Sequence, residues 1–295
     1  MKKHWTAAAL AAFLIGSAAQ AQPGIVLHHV HGLAYSADGR RLMIPSHHGL
    51  AVFENGKWTK APGPQHDYMG FSATAKNLYS SGHPAPGSGL INPFGLIRSR
   101  DGGQTWDKLG LEGETDFHLL SASWNAGAIY AWNPAPSSRL KRPGVHYTLN
   151  DGVAWKAARA EGLVGEPRAL AVHPDNAAVV AVATSDGLYV SSDFGERFAR
   201  HSGKGEGLGA FFDLNGKHVW YAGFERQATL VRIPLDGGRP VDIALPDLSR
   251  DAVAYIAQNP ALRLEYALAT FERSVYLSKD GGKSWRRIAD RGTTG

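Results

Sequence analysis

The 295-residue chain contains no cysteine and only three methionines. Without cysteine it can form no disulfide bond and carry no lipid on an N-terminal cysteine, which excludes a disulfide scaffold and a diacylated lipoprotein. It also lacks any long stretch with the 3.6-residue periodicity of an amphipathic helix. Its 35 glycines and frequent turn residues favour an all-β fold instead.

Long hydrophobic runs are absent except near the N-terminus. There, two lysines precede an apolar run over residues 7–15, and an Ala-x-Ala cleavage site ends at Ala21. The run is too short to span a bilayer as a free-standing helix, and this order of segments is typical of a secretory signal peptide. Residues 1–21 are therefore predicted to be removed, leaving a mature chain that starts at Gln22. We expect a periplasmic or secreted protein with no membrane span after cleavage, with a retained anchor as the alternative.

Neither sign of charge is in large excess. The chain has 31 Lys and Arg against 26 Asp and Glu, a net charge of +5, and loss of the two signal-peptide lysines lowers it to +3. The basic residues form no cluster along the sequence. Nucleic acid is therefore not an expected partner.

A short motif recurs along the chain. It reads Ser-Arg-Asp-Gly-Gly-Gln-Thr-Trp over residues 99–106 and Ser-Lys-Asp-Gly-Gly-Lys-Ser-Trp over residues 278–285. Weaker copies start at positions 52, 148, 191 and 234, so successive starts are 43 to 49 residues apart. A period in the mid-forties matches the four strands of one propeller blade, which predicts a six-bladed β-propeller. The expected single domain covers residues 22–295, with blades at approximately 25–61, 62–112, 113–160, 161–203, 204–246 and 247–290; residues 24–27 could pair with the last blade to close the ring.

The motif resembles the Asp-box, or bacterial neuraminidase repeat, of sialidases, sortilin-type receptors and exported glycosyl-hydrolase-like bacterial proteins. The resemblance covers essentially the whole mature chain and implies an Asp-box hairpin on the outer strands of each blade. It implies a fold rather than an activity, because the aspartate and glycines of the motif shape a turn. A ligand-binding propeller, a sialidase-like glycosidase and a sortilin-like scaffold for a protein partner all remain open.

Histidine is unevenly distributed over the expected blades. In a propeller, the loops that enter the innermost strand and the loops that leave the second strand surround the central channel on one face. Eight of the 12 histidines that follow residue 21 fall in such loops of the first three blades. The predicted metal ligands are His29, His31, His47, His48, Met69 and His83, with His28, His66, Asp67, Asp116 and His118 as supporting or alternate ligands.

Imidazole, carboxylate and thioether groups are ligands of transition metals, and a methionine among histidines favours copper over zinc. The sequence therefore predicts one metal ion at the channel mouth, copper first and zinc second. Protonation of the imidazoles below about pH 6 is expected to release it. The alternative is a mouth whose histidines only hold the loops in place by hydrogen bonds.

The later blades carry arginine where the first three carry histidine. Four arginines fall in the corresponding loops and are candidates for binding an anion: Arg168, Arg226, Arg250 and Arg273. Neutralisation by neighbouring glutamates is the interpretation that we favour for them.

A sialidase would need three arginines on its substrate, a tyrosine nucleophile and a carboxylic acid. The Arg-Ile-Pro sequence of that family occurs here at residues 232–234 rather than in the first blade. No Tyr–Glu pair can be assigned either. Non-catalytic binding of a metal ion or small ligand is therefore the preferred function.

Overall fold

The computed structural model describes residues 24–202 and 205–295. The predicted signal peptide and the start at Gln22 lie outside the described residues. Over the described ranges the chain forms 25 β-strands in six antiparallel sheets. No helix long and apolar enough to cross a membrane occurs in this part of the chain.

Each sheet is one blade, and its strands follow one another in sequence order from the channel outward. The first three blades comprise β1 (Ala34–Tyr35), β2 (Leu42–Ser46), β3 (Gly49–Glu54) and β4 (Lys57–Lys60); β5 (Asp67–Ala73), β6 (Leu78–His83), β7 (Leu96–Ser99) and β8 (Asp107–Gly110); β9 (Leu120–Ala122), β10 (Ile129–Asn133), β11 (Gly144–Thr148) and β12 (Lys156–Ala157). The last three comprise β13 (Pro167–Val172), β14 (Val180–Thr184), β15 (Gly187–Ser191) and β16 (Ala199–Ser202); β17 (Glu206–Phe212), β18 (His218–Phe224), β19 (Ala228–Pro234) and β20 (Val241–Asp242); β21 (Val253–Gln258), β22 (Tyr266–Thr270), β23 (Val275–Ser278), β24 (Arg286–Asp290) and β25 (Thr293–Thr294). The predicted all-β, six-bladed propeller is confirmed.

The hydrophobic core lies between neighbouring blades. The second strands are buried along their whole length in the first, fourth and last blades, because each is covered by a blade on both faces. Leu42 and Ile44 of the first blade pack against Val275 and Leu277 of the last blade, so this layer also spans the seam of the ring. Burial of apolar area between blades contributes about 25 cal/mol per Å² and holds the ring together.

The ring closes through the segment that precedes the first blade. Val26 forms an antiparallel bridge with Thr293, and the Leu27 N–H donates to the Gly292 carbonyl at 2.7 Å. The Leu27 side chain is fully buried. The expected pairing of residues 24–27 with the last blade is thus present, and the same anchor fixes the start of the histidine loop that follows.

Four outer hairpins share one hydrogen-bond pattern. In the second blade the Ser99 hydroxyl donates to Asp101 at 2.8 Å and accepts from the Gly103 N–H, while Asp101 accepts from the backbone and hydroxyl of Thr105. The same pattern is built from Ser278, Asp280 and Gly282. It recurs without the last hydroxyl bond in the hairpins of Thr148, Asn150 and Gly152 and of Ser191, Asp193 and Gly195. These bonds stay within each hairpin, so the motif explains turns and not the channel.

The fifth blade, whose motif is degenerate, contains a fully buried carboxylate. Asp213 accepts hydrogen bonds from Trp220 Nε1 at 2.6 Å, from the Tyr266 hydroxyl at 2.8 Å and from Arg232 Nε at 2.8 Å. Arg232 is the arginine of the Arg-Ile-Pro sequence. Its charge is therefore used to neutralise a buried aspartate within the blades.

Candidate functional site

The innermost strands of all six blades line a central cavity of about 200 Å³. Its walls are largely apolar, with Leu33, Phe71, Leu120, Leu170, Phe211 and Tyr255 among the lining side chains. The cavity is also lined by His31, His118 and Arg168. All three belong to loops or strand starts on the face of the propeller that carries the histidine loops. The channel mouth is therefore built from the loops that the repeat register assigned to it.

A tight turn between β2 and β3 carries two of the histidines. Ser46 pairs with Gly49 in the ladder, so His47 and His48 are the two central residues of the turn. The Ser46 hydroxyl accepts from the His48 N–H at 3.4 Å, and Gly49 adopts a left-handed φ of +88° that favours glycine at this position. The turn directs the rings to different neighbours: His47 stacks on His29, whereas His48 meets His28.

The segment before β1 supplies the other imidazoles. The His31 N–H donates to the Pro45 carbonyl at 3.2 Å, and Arg273 Nη1 donates to the His28 carbonyl at 3.1 Å. In an extended segment, residues two apart project to the same side. His29 and His31 therefore face His47, while the intervening positions face elsewhere.

Three imidazoles form a compact cluster at this point. Nitrogen atoms of His29, His31 and His47 all lie within 4.8 Å of one another. Their rings are nearly parallel, with centroids 4.2 to 5.8 Å apart. Among the residues that the structure describes, these three form the only group of three or more histidine or carboxylate side chains whose ligand atoms lie close enough together to share one ion. We call them the imidazole cluster.

A carboxylate adjoins the imidazole cluster. Asp67, at the start of β5, lies 3.8 Å from His31 Nε2 and 3.9 Å from His47 Nδ1, both beyond hydrogen-bond distance. His31 Nε2 and Asp67 Oδ1 are both buried and have no hydrogen-bond partner among residues 24–202 and 205–295. An unsatisfied buried polar group costs about 1–3 kcal/mol. These two atoms, like Asp116 Oδ1 nearby, therefore have bonding capacity that a ligand would satisfy.

The backbone of β6 holds Asp67 in place. Gly82 pairs with Tyr68 next to it, has a φ of +114°, and a Cβ at Gly82 would lie 2.1 Å from the Asp67 carbonyl oxygen. Only glycine allows this close approach. The main chain at Asp67 is therefore held by its contact with Gly82 and not by a side-chain hydrogen bond.

Desolvation favours the neutral form of two imidazoles of the cluster. Desolvation lowers the pKa of His31 to about 4, although Asp67 opposes the shift. Desolvation also lowers the pKa of His29, and the nearby His47 adds to the effect. His29 and His31 are therefore neutral at pH 7, which is the form of imidazole that binds a metal ion.

A second polar group lies at the entrance to the third blade. Asp116 Oδ2 is 2.7 Å from His118 Nε2 and 3.1 Å from His83 Nε2. His83 Nδ1 also contacts Asn92 Oδ1 at 2.6 Å. The hydrogen bond to Asp116 raises the pKa of His118. His83 and His118 are therefore turned toward Asp116 and not toward the imidazole cluster.

The remaining predicted metal ligands lie outside the imidazole cluster. His28 and His48 are exposed and meet each other edge to face, with centroids 5.0 Å apart. His66 is buried, and its Nδ1 accepts from the Ala85 N–H at 2.9 Å, which is a structural role. Met69 is buried on β5, and its ligation of a metal stays a prediction.

The four arginines have separate partners or separate loops. Arg168 Nη2 lies 3.1 Å from Glu166 and 3.2 Å from Glu206, so two carboxylates already neutralise it. Arg273 donates to the His28 carbonyl. Arg226 and Arg250 are on exposed loops of the fifth and sixth blades. Pairing of arginine with glutamate, the interpretation favoured from the sequence, holds for Arg168.

Sequence reasoning did not identify the contact between His83 and Asn92 or the buried Asp213 group. Asn92 lies in a twelve-residue connection between β6 and β7, where no periodicity indicates which residue folds back. Asp213 follows an inner strand, and its partners come from strands of two blades. The only sequence signal for that group was the misplaced Arg-Ile-Pro segment.

No protein-family model matches the chain, and no curated protein matches it. Solved structures do match. A GH74 enzyme of Niastella koreensis aligns with a TM-score of 0.61 and 14% identity over 90% of this chain and 46% of its own. The GH74 xyloglucanase of Xanthomonas campestris gives 0.55 and 18% over 90% and 46%. YCF48 with a bound D1 peptide gives 0.51 and 16% over 89% and 82%.

The chain thus spans about half the length of the GH74 enzymes that it resembles. At these identities the likeness shows a shared propeller fold and no shared activity.

Proposed function

We propose that this chain is an exported propeller that binds one transition-metal ion at the channel mouth, through His29, His31 and His47. The observation that carries the proposal is their spacing within 4.8 Å beside Asp67, whose Oδ1 is buried without a partner. Burial keeps His31 unprotonated, desolvation and the neighbouring His47 lower the pKa of His29, and Asp67 supplies a negative charge close to the ion. Three imidazoles leave one position of a four-coordinate ion free.

Copper is the preferred ion and zinc the second. Imidazole ligands suit both, and divalent copper binds more tightly than zinc to a given nitrogen site. Nitrogen atoms at 2.0–2.1 Å from a tetrahedral ion are separated by about 3.3 Å, so binding would draw the three rings slightly together. His48 and His83 are directed elsewhere by their contacts with His28 and Asp116. Met69 remains a proposed thioether ligand for reduced copper.

The exposure of the site favours exchange over permanent structural binding. His29 is exposed and the His47 side chain is 40% exposed. A partner or a small ligand could therefore reach the ion from solvent. Handling of a metal ion without chemical turnover fits this arrangement, in the periplasm or outside the cell.

A matched pair of double variants tests metal binding. Metal-free protein is titrated with Cu²⁺ and Zn²⁺ beside the variants His31→Ala/His47→Ala and His28→Ala/His48→Ala. Each variant loses two neighbouring imidazoles, but only the first loses members of the cluster. We expect a loss of at least 100-fold in affinity for the first and little change for the second. Equal, weak binding by all three proteins would leave the histidines as loop residues.

Export is tested by intact mass. The exported protein should start at Gln22 and occur in the soluble fraction. A species that retains residues 1–21 in the membrane fraction would contradict this part of the proposal.

A glycosidase is the second candidate, since Asp67 and Asp116 each hold a buried, unpartnered carboxylate oxygen near the cavity and the matched GH74 enzymes share the fold. For a sialidase in particular we expect no activity, because Arg168 and Arg232 are paired with carboxylates. Release of sialic acid from a fluorogenic substrate, abolished by Arg168→Ala or Arg273→Ala, would restore the sialidase interpretation. A protein partner is the third candidate, and it is supported by the fold shared with the peptide-bound YCF48.

A further inference from the structure

The cavity below the imidazole cluster has a marked division of polarity. The basic side chains that line it are His31, His118 and Arg168, and no aspartate or glutamate of the described part of the chain lines it. Beyond them the wall consists mainly of aliphatic and aromatic side chains contributed by all six inner strands. A ligand that fits this cavity would carry its charge at the mouth and an apolar body in the channel.

The sign of that charge follows from the proposed metal ion. His118 Nε2 lies 2.7 Å from Asp116 Oδ2, which fixes the His118 ring at the cavity wall. Arg168 adds no excess charge, because Glu166 and Glu206 neutralise it. A divalent ion at the imidazole cluster would carry the uncompensated positive charge of the mouth, so the complementary group on a ligand is an anion.

The size of the cavity limits the ligand. About 200 Å³ is smaller than the 300–1,000 Å³ typical of pockets for drug-sized molecules. Several lining residues are small, among them Ala73, Ser121, Ala169 and Ala210, and this creates the space. The channel suits a single aromatic ring or a short alkyl chain.

We infer that the mouth binds a small amphipathic carboxylate, with the carboxylate between the metal ion and His118 and the apolar part in the channel. The inference rests on the proposed metal site, because the carboxylate takes the position that three imidazoles leave free on the ion. Asp116 is a positioning residue here, since its carboxylate orients the His118 ring from 2.7 Å.

The test uses benzoate and hexanoate as probes on the metal-loaded protein, with acetate, benzyl alcohol and 1-hexanol as controls. Benzoate and hexanoate should bind at least tenfold more tightly than acetate, which lacks an apolar body, and than the alcohols, which lack the charge. His118→Asn should weaken the two acids about tenfold and leave the alcohols unchanged.

Two variants probe the channel itself. Ala210→Leu and Ser121→Leu place extra methyl groups on half-buried wall positions of two different blades. Each should lower the affinity for benzoate at least tenfold while the affinity for the metal ion stays unchanged. Two sites are used in case one variant fails to fold.

The outcomes separate this inference from the proposed function. A protein that binds metal, but binds acetate as tightly as benzoate, overturns the channel inference and leaves the metal site intact. A protein that binds no metal, yet binds benzoate in a way that Ala210→Leu weakens, overturns the metal site and the stated position of the carboxylate. Benzoate affinity that is unchanged in both channel variants also contradicts the inference.

Discussion

Asp213 in the fifth blade and Asp67 at the channel mouth are both carboxylates removed from most solvent, but their surroundings differ. Asp213 is fully buried, and Trp220, Tyr266 and Arg232 saturate its two oxygens. The Asp67 side chain is 21% exposed, has one oxygen without a partner, and faces imidazoles at 3.8 and 3.9 Å. The carboxylate between the blades is paired with neighbouring side chains at both oxygens, whereas the one at the mouth has bonding capacity that its described neighbours do not use.

The first and fourth blades extend the comparison to the main chain. Both have the same turn after the second strand, closed by a hydroxyl: Ser46 with Gly49, and Thr184 with Gly187. The two central residues are His47 and His48 in one blade, but serine and aspartate in the other. The turn therefore does not need histidine, and the imidazoles are an addition to the scaffold.

The largest effect is expected from removing the saturated carboxylate. Asp213→Ala removes the carboxylate partner of Arg232 and leaves the buried donors of Trp220 and Tyr266 unpaired, so the free energy of unfolding should fall by about 3–5 kcal/mol. Asp67→Ala should change it by less than about 1 kcal/mol, because no hydrogen bond is lost. Urea denaturation of the metal-free proteins measures both. A larger loss for Asp67→Ala would reverse the distinction between the two sites.

The pH dependence of stability is the next largest effect. Burial lowers the His31 pKa from 6.5 to about 4, so between these values the unfolded chain binds a proton at this residue and the folded protein does not. The free energy of unfolding of the metal-free protein should therefore fall as the pH drops from 6.5 to 4, by about 2–3 kcal/mol from His31 alone. His31→Gln should lack this contribution. Parallel pH profiles for wild type and variant would contradict it.

A smaller effect is expected on metal affinity from the unpartnered carboxylate. Asp67→Asn keeps the shape of the side chain and removes the charge beside His31 and His47, so affinity for Cu²⁺ should drop about 10- to 100-fold. The matched control is Asp116→Asn, which removes a charge from the neighbouring group. Competition with a chelating dye gives both values. An equal drop for the two variants would mean that only the overall charge of the mouth matters.

The smallest effect concerns the outer hairpins. Asp101→Ala removes several hydrogen bonds within one exposed turn and should cost about 1 kcal/mol of stability. Asp236→Ala, in the degenerate fifth copy, removes one hydrogen bond, which the Gly238 N–H donates to Asp236, and should lower the stability by less. Thermal unfolding of both variants tests the order, and metal affinity should be unchanged in each.

Much of the fold was predictable because the repeat is local. Four copies of the motif encode their own turn, as the hydrogen bonds that Thr105 donates to Asp101 show, and the period then fixes the number of blades. The ring closure was harder to predict from the sequence, because Val26 and Thr293 are far apart in the chain and neither lies in a distinctive sequence motif.

The site was predictable only in part. The two-residue alternation brings His29 and His31 to one side, and the register brings His47 next to them. Nothing in the sequence separates His47 from His48, since the direction of each ring depends on the turn closed by Ser46 and Gly49. The preference of His83 and His118 for Asp116 likewise depends on distances between two blades.

The most direct test of the metal site is an anomalous difference map from a crystal of the copper-loaded protein. We expect one strong peak about 2.0–2.1 Å from nitrogen atoms of His29, His31 and His47, on the side that faces the cavity. No peak at the mouth, or a peak held by His28 and His48 or by Asp116 and His118, would contradict the account.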